Sequence, residues 1–383
     1  MAPAGAWSYY IEGYDREARR VAGAARGGVG EWAAQAEWVE GLAAWRQKDW
    51  TAAADAFDTV ARRASDSEMI AAGRYWSARA NVNANRPERA APALRQAALL
   101  AETFYGMLAQ TALGLPARPE RSAEAQLRQV AQRPNVKLAI ALTEIGQRDR
   151  ADELLRWQAR VGVPAEHATL TLIAGRLGLP ATQVYLAHNG PDGARATPEG
   201  RYPVPEGWSP EGGFRLDRAL LFAHALQESN FRADAVSRAG ARGLMQVLPS
   251  TAALIARRKG TSVGPLNAPA TNMEYGQSWL EALGTMSATG NMLPKVIAAY
   301  NAGPVPVERW NATMGTTRDP LLYIESIPYW ETRGYVATVL RNYWMYQQQS
   351  GERTASRDAL VQGLWPKLPR VAAGGGGSNG GTH

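Results

Sequence analysis

The chain has 383 residues, 45% hydrophobic and 20% charged, a balance that fits a globular protein with two buried cores. It has no cysteine, which excludes disulfides and thiolate metal sites, and its formal net charge of +7 favours anionic partners. No dense Lys/Arg block is interleaved with aromatics and no apolar run is long enough to cross a bilayer, so neither nucleic-acid binding nor a transmembrane span is expected.

The opening residues, MAPAGAWSYYIEGYDREARR, show no basic stretch followed by an apolar one and do not read as a signal peptide. Residues 1–30, with Tyr9, Tyr10 and Tyr14, read either as a frayed start or as an incomplete first repeat. From Glu31 to Ala98 the pattern predicts paired helices. Gly41 to Ala64 has the small-large spacing of a tetratricopeptide-like hairpin, and Ala90, Ala91 and Leu94 recur in the places of Ala53, Ala54 and Phe57. Pro87, Pro116, Pro119, Pro134, Pro164 and Pro180 fall at helix starts or turns. Residues 1–190 are therefore read as an α-solenoid, with about ten helices from residue 30 onward. Trp45, Trp50 and Trp76 are assigned to its core rather than to a ligand.

Residues 191–213, rich in Gly, Pro and polar side chains, read as a linker between separately packed cores. A second domain is expected over 214–360, with helices at 214–229, 249–259, 270–288, 292–302, 305–313 and 333–348. Residues 361–383, ending in the glycine run 374–377, read as a flexible tail.

Within the second domain, Leu226–Thr251 reads as chemistry rather than scaffold. The preceding run Ala219–Leu226 is apolar almost all round, as in a helix buried on several sides. Glu228 closes it, and Ser229 and Asn230 break the pattern. Desolvation there would disfavour the ionised carboxylate and raise its pKa, which suits a general acid. Gly240 and Gly243 permit a tight backbone path beside it, and the Gln246 amide can meet a hydroxyl or acetamido group. His224 shares a helix face with Glu228, but an HxxxE pair without a second pair is a weak metal signal. His224 is read as packing, with a role in tuning Glu228 as the alternative. Asp234 is the next carboxylate along, and no metal or cofactor is expected.

The run Glu228-Ser229, then Ser237 and Gly240, then Gly243-Leu244-Met245-Gln246, then Pro249-Ser250-Thr251 resembles the catalytic motif of the soluble lytic transglycosylases, lysozyme-like enzymes that cut peptidoglycan. Ala298–Pro304, AYNAGP around Tyr300, and Glu325–Val336, with ESIP and ETRGYV, are similar to two further blocks of that family in the same order. The resemblance is specific over about 216–346. It implies an all-α fold, a superhelical, tetratricopeptide-like helical-repeat arm followed by a lysozyme-like catalytic domain.

It also implies a reaction: non-hydrolytic cleavage of the β-1,4 bond between N-acetylmuramic acid and N-acetylglucosamine, giving a 1,6-anhydro product, with Glu228 as the single acid and base. Ser237, Gln246, Leu248, Tyr300, Asn301 and Glu331 are the implied glycan contacts. Leu248 stands where relatives carry Met, and Asn301 and Gly303 also shape a turn. For Glu325, a capping or salt-bridge role stands beside a role in the site. The implied partner is the peptidoglycan glycan strand, with a protein partner for the arm, and the implied location is periplasmic or associated with the outer membrane. A hydrolytic muramidase like goose-type lysozyme, or a non-catalytic peptidoglycan-binding scaffold, are the alternatives.

Overall fold

The regular structure in the computed structural model is helical throughout the described residues, which are 2–25, 27–116, 126–191, 197–314 and 318–371. Among them there is no strand, only isolated bridges. Contact density divides the chain into two compact units, Met1–Ala117 with Leu283–Arg341 and Thr354–Lys367, and Arg118–Ala282 with Asn342–Arg353 and Leu368–His383. This division does not follow the composition change at 191–213.

The first unit opens with α1 (Ala2–Ile11) and α2 (Asp15–Ala24), followed by α3 (Glu31–Arg46), α4 (Trp50–Arg63), α5 (Ser67–Asn83), α6 (Pro87–Ala98) and α7 (Phe104–Ala112). Each packs chiefly on its sequence neighbours, as in a helical-repeat stack. Side chains set the helix starts: Asp49, Asp66 and Thr103 accept the backbone N–H groups of Ala52, Met69 and Gly106. The repeated small residues do what the spacing predicted. Ala53, Ala54 and Phe57 are buried, and a Cβ on Gly73 would come within 2.8 Å of α4 backbone atoms, so α4 and α5 touch main chain to main chain. Trp38, Trp45, Trp76, Phe57 and Tyr105 fill the space around this contact, with ring centroids 4.9–6.5 Å apart.

Residues 2–24 are not a frayed start. Tyr10 is fully buried and its hydroxyl shares a 2.7 Å hydrogen bond with Ser326, while the Trp7 indole donates to the Pro328 carbonyl. The rest of the unit comes from later in the chain: α17 (Leu293–Ala302), α18 (Pro304–Met314), α19 (Pro320–Glu325), the first part of α20 (Trp330–Gln349), and α21 (Ala355–Val361). The repeats hold these segments by polar contacts. Tyr105 donates to Glu325 at 2.5 Å, Arg79 pairs with Asp319 at 2.8 Å, and Arg341 pairs with Glu68 at 2.6 Å.

The second unit contains α8 (Leu127–Ala131), α9 (Pro134–Glu144), α10 (Arg148–Val161), α11 (His167–Arg176) and α12 (Pro180–His188), whose core includes Val130, Leu155, Leu170 and Leu186. It continues with α13 (Pro198–Arg201), α14 (Arg218–Ser229), α15 (Pro249–Lys259) and α16 (Pro269–Gly284). The expected linker is packed over its described part. Tyr202 is buried against Tyr346, Gly212 N–H donates to Glu274, and Gln277 binds Arg215, Leu216 and Gly213 through both ends of its amide. Its Gly and Pro residues fix turns instead of conferring freedom. The residues expected as a tail are likewise packed over their described part. Leu293 N–H donates to Pro366 O in one unit and Val371 N–H to Arg215 O in the other, and residues 372–383 of the expected tail lie outside the described residues.

A fragment beginning near Gly207, which composition treats as free-standing, would remove Tyr105, Tyr10 and Arg79 from Glu325, Ser326 and Asp319. It is expected to lack a cooperative thermal transition. A sharp two-state melt close to that of the full chain, followed by circular dichroism, would refute this. In the full chain, Tyr105→Phe is expected to cost about 1–3 kcal/mol by leaving a buried carboxyl without its donor.

Candidate active site

Glu228 occupies the last turn of α14. Asp217 caps the start of that helix, and its second carboxylate oxygen accepts from the Tyr343 hydroxyl at 2.6 Å and from Gln347. The helix is buried along Ala219–Leu226, as its apolar sequence predicts, and Glu228 itself is partly buried. The chain then turns through two successive left-handed residues, Asn230 (φ 51°) and Phe231 (φ 63°). Asparagine tolerates this region, but a phenylalanine there is strained. Burial of the Phe231 ring against Phe222, 6.0 Å away, compensates.

The stretch after the turn folds back on itself. Val236 bridges Arg242, and Arg242 bridges Val247 through a reciprocal pair of 3.0 Å backbone bonds. Ser237 fastens the bend, its hydroxyl accepting from Ala241 N–H at 3.0 Å. Gln246, at φ 48°, gives both amide hydrogens to the loop, to Gly243 O at 2.9 Å and Ala235 O at 3.2 Å. Its donor capacity is thus committed, and what it can offer a ligand is its acceptor oxygen. Gly243 is required twice over. Its φ is 75°, and a Cβ would meet Leu266 O at 2.2 Å. Leu248 precedes α15 with its side chain 40% exposed.

Two hydrogen bonds anchor this loop. The Ser229 hydroxyl, next to Glu228, donates to Leu244 O at 2.8 Å. Asn272 on α16, fully buried, accepts from Met245 N–H and donates to Arg242 O and Leu266 O, each at 2.8 Å. Sequence reasoning missed Asn272, because a lone asparagine in the first turn of a helix reads as solvated surface. The nearby Gly276 was a faint signal: a Cβ there would strike Met245. Behind α16, Arg215 bridges Glu274 at 3.0 Å and Glu281 at 2.9 Å, and Lys259 also pairs with Glu274. Burial pushes the Glu274 carboxyl up, but those cations outweigh it and hold it below the usual range.

His224 is fully buried and burial drives its pKa down to about 3, so it is neutral at physiological pH. It packs, as expected. Asp234 is open to solvent beside Arg232 at 3.5 Å. Among the described residues no group of three or more His, Cys, Asp or Glu side chains could hold a metal ion.

These residues, Glu228, Ser237, Gln246 and Leu248, fall in the second unit; Tyr300, Asn301 and Glu331 fall in the first. Tyr300 and Asn301 lie in the last turn of α17, which ends at Gly303 with φ 86°. The Asn301 side chain accepts from the Thr332 hydroxyl at 2.6 Å and so reaches the turn of α20 that carries Glu331, whose own side chain is exposed. Glu325 is buried and accepts from the Tyr105 hydroxyl. Burial pushes its carboxyl above the usual range, against the opposing pull of Arg333 and the Tyr105 hydroxyl.

The site thus has a partly buried carboxyl at the end of an apolar helix, and the residue after it is hydrogen-bonded to a pinned, glycine-bearing loop. Residues 210–321 match the family described as Transglycosylase SLT domain. The soluble lytic murein transglycosylase of Escherichia coli is 34% identical over 155 residues, 39% of this chain and 24% of that protein. Among solved structures, a TM-score of 0.67 relates the chain to an inactive mutant of the lytic transglycosylase Slt of Pseudomonas aeruginosa, at 24% identity over 89% of this chain and 56% of that one. The same score relates it to the 70 kDa soluble lytic transglycosylase of Escherichia coli, at 21% identity over 94% and 64%. Residues 210–321 are thus similar to the SLT domain of lytic transglycosylases. The match spans about a quarter of the length of that curated relative.

Asn272→Ala is expected to lower stability by about 1–3 kcal/mol, since it strands a buried N–H and two carbonyls. Any activity should fall although Glu228 is untouched; unchanged melting and turnover would refute the clamp. His224 makes a pH prediction. Its folded pKa is depressed, so its contribution to stability is present above about 6.5 and lost as pH falls from there toward 3. Glu325, with a raised pKa, works in the opposite sense, its contribution being lost as pH rises. Urea melts between pH 7 and pH 4.5 should therefore show His224→Leu losing less stability on acidification than the parent, by at most about 1.4 kcal/mol per pH unit.

Proposed function

We propose that this chain is a peptidoglycan lytic transglycosylase that cleaves the bond between N-acetylmuramic acid and N-acetylglucosamine without water, with Glu228 as its one acid and base. The observation that carries the reading is the setting of Glu228: a partly buried carboxyl on a rigid helix end, tied through Ser229 to a loop that Asn272 pins from behind. The likeness to lytic murein transglycosylases supports the substrate class.

In the proposed cycle the Glu228 carboxyl gives its proton to the glycosidic oxygen as the bond to the anomeric carbon breaks. The resulting carboxylate then removes the proton of the muramoyl 6-hydroxyl, whose oxygen bonds to that carbon and closes the 1,6-anhydro ring. The proton count balances and Glu228 returns protonated. Attack from within the same sugar has the entropic advantage of an intramolecular reaction. A hydrolase that inverts would need a second carboxylate as base for water, and one that retains would need a nucleophile. Asp234, the other carboxylate of Leu226–Thr251, has a side chain 81% exposed and is paired with Arg232, which suits neither role.

Ser237 and Gln246 act on this reading chiefly by shaping the loop. Leu248 in the second unit and, separately, Tyr300, Asn301 and Glu331 in the first are proposed glycan contacts, with the carboxylate of Glu331 accepting from sugar hydroxyls or amides. The site of action is the peptidoglycan layer, in the periplasm or at the outer membrane. Among the described residues no helix is long and apolar enough to cross a membrane.

Purified sacculi digested with the chain should release muropeptides ending in 1,6-anhydromuramic acid, resistant to borohydride. Reducing-end products that borohydride converts to muramitol would make it a hydrolase. Glu228→Gln should abolish release, by at least about a thousandfold if the single carboxyl supplies both proton transfers, while the melting curve stays unchanged.

A further inference from the structure

The first unit contains a cavity of about 650 Å³ that the proposed reaction does not use. Its walls are the repeat helices α1, α3, α5 and α7 on one side and α20 on the other. The α20 residues that line it, Trp330, Arg333, Gly334, Ala337, Thr338 and Arg341, follow one another at helical spacing, so a single stripe of that helix faces the space. Small residues at the middle of the stripe keep it open: a Cβ built on Gly334 meets no atom within 4 Å. Two indoles at the cavity, Trp32 and Trp330, are 66% and 77% exposed, whereas Trp38 behind them is buried. Tryptophan rings left this open at a concave site are suited to contact with a ligand.

Most of the charges around the space are already engaged, and Asp66 is held as a helix cap. Glu68 accepts from Arg341 at 2.6 Å and from Phe104 N–H at 2.9 Å, and Asp66 accepts from Met69 N–H at 3.0 Å. The Arg333 guanidinium lies 4.3 Å from the Trp7 ring centroid, and Glu325 is engaged by Tyr105. A strongly ionic ligand would have to break these pairs to be recognised. What the cavity offers instead is flat apolar faces beside fixed acceptor oxygens and the exposed Gln35 amide. That combination matches a neutral ring with one apolar face and equatorial hydroxyl and amide groups.

We infer that this cavity is a second saccharide-binding site, taking an N-acetylhexosamine unit of a glycan strand between Trp32 and Trp330. The choice of N-acetylhexosamine rests on the proposed function; the preference for a neutral sugar rests on the cavity alone. The first turn of α20 would then carry two glycan contacts, Glu331 on its exposed side and Trp330 at the cavity. A glycan held there would keep the enzyme on its polymer between cleavage events, which short soluble substrates do not require.

The test uses the full chain carrying Glu228→Gln, titrated calorimetrically with a soluble β-1,4-linked N-acetylglucosamine oligomer. Binding is expected at a site whose affinity falls about tenfold on adding Trp32→Ala, the size of losing one stacked aromatic face. Adding Ala337→Trp, which fills the space from α20, should give a similar loss. Because Trp32 is far out on an exposed face, Trp32→Ala should leave the melting curve intact. In the otherwise native chain it should leave turnover of a short soluble glycan unchanged and weaken retention on sacculi. No binding of the oligomer, affinity equal in all variants, or a Trp32-dependent response to stem peptide alone would each overturn the saccharide assignment. Failure of the catalytic reading shows separately, as turnover that persists in Glu228→Gln.

Discussion

The loop beside Glu228 depends on one buried amide. Asn272 satisfies an N–H of Met245 and the carbonyls of Arg242 and Leu266 with a single side chain, in an interior where each bond is strong and each loss is costly. The segment it holds is poor at holding itself. It includes left-handed residues at Asn230, Phe231, Gly240, Gly243 and Gln246, and its β-like pairing is limited to a few bridges. Packing of Phe231 and the Asn272 bonds offset that strain, and the result is a rigid backbone next to a partly buried carboxyl. Preorganisation of this kind is what a proton-transfer site requires.

The first unit solves a different problem with the same means. Its repeat helices meet through small residues and aromatic rings, and they also supply the Tyr105 hydroxyl to Glu325 and the Arg79 guanidinium to Asp319, while Glu68 of α5 takes the guanidinium of Arg341 on α20. A carboxyl as buried as Glu325 would be costly without Tyr105 and Arg333 beside it. The ESIP segment and the start of α20 are therefore positioned by residues more than two hundred places earlier in the chain, such as Tyr105. Helical repeats here act as a bracket for later segments of the chain as well as a stack in their own right.

The same helix, α20, illustrates how one element carries several tasks. Thr332 holds Asn301, Glu331 is exposed on the first turn, and the 330–341 stripe of small and aromatic residues lines the cavity. Its later residues Tyr343 and Gln347 bind Asp217, the cap of the helix that carries Glu228.

Much of this was legible without coordinates. The all-α class, the small-large repeat around Ala53 and Phe57, the buried run before Glu228 and the turn glycine Gly243 follow from local rules: helical periodicity, capping residues and the unique freedom of glycine. Glu325, whose role the sequence leaves open between structural and functional readings, takes its hydrogen bond from Tyr105, far off in the chain, and the sequence signal for Asn272 was as faint as the nearby Gly276. The Gly/Pro-rich stretch before Arg215 looked like a free linker because composition reports what a chain can do alone, whereas Gln277 and Glu274 decide what it does when packed. Periodicity and capping act between residues a few positions apart and so can be read in order. Pairing of buried polar groups joins residues tens to hundreds of positions apart, and a single sequence carries no record of which donor meets which acceptor until the chain has folded.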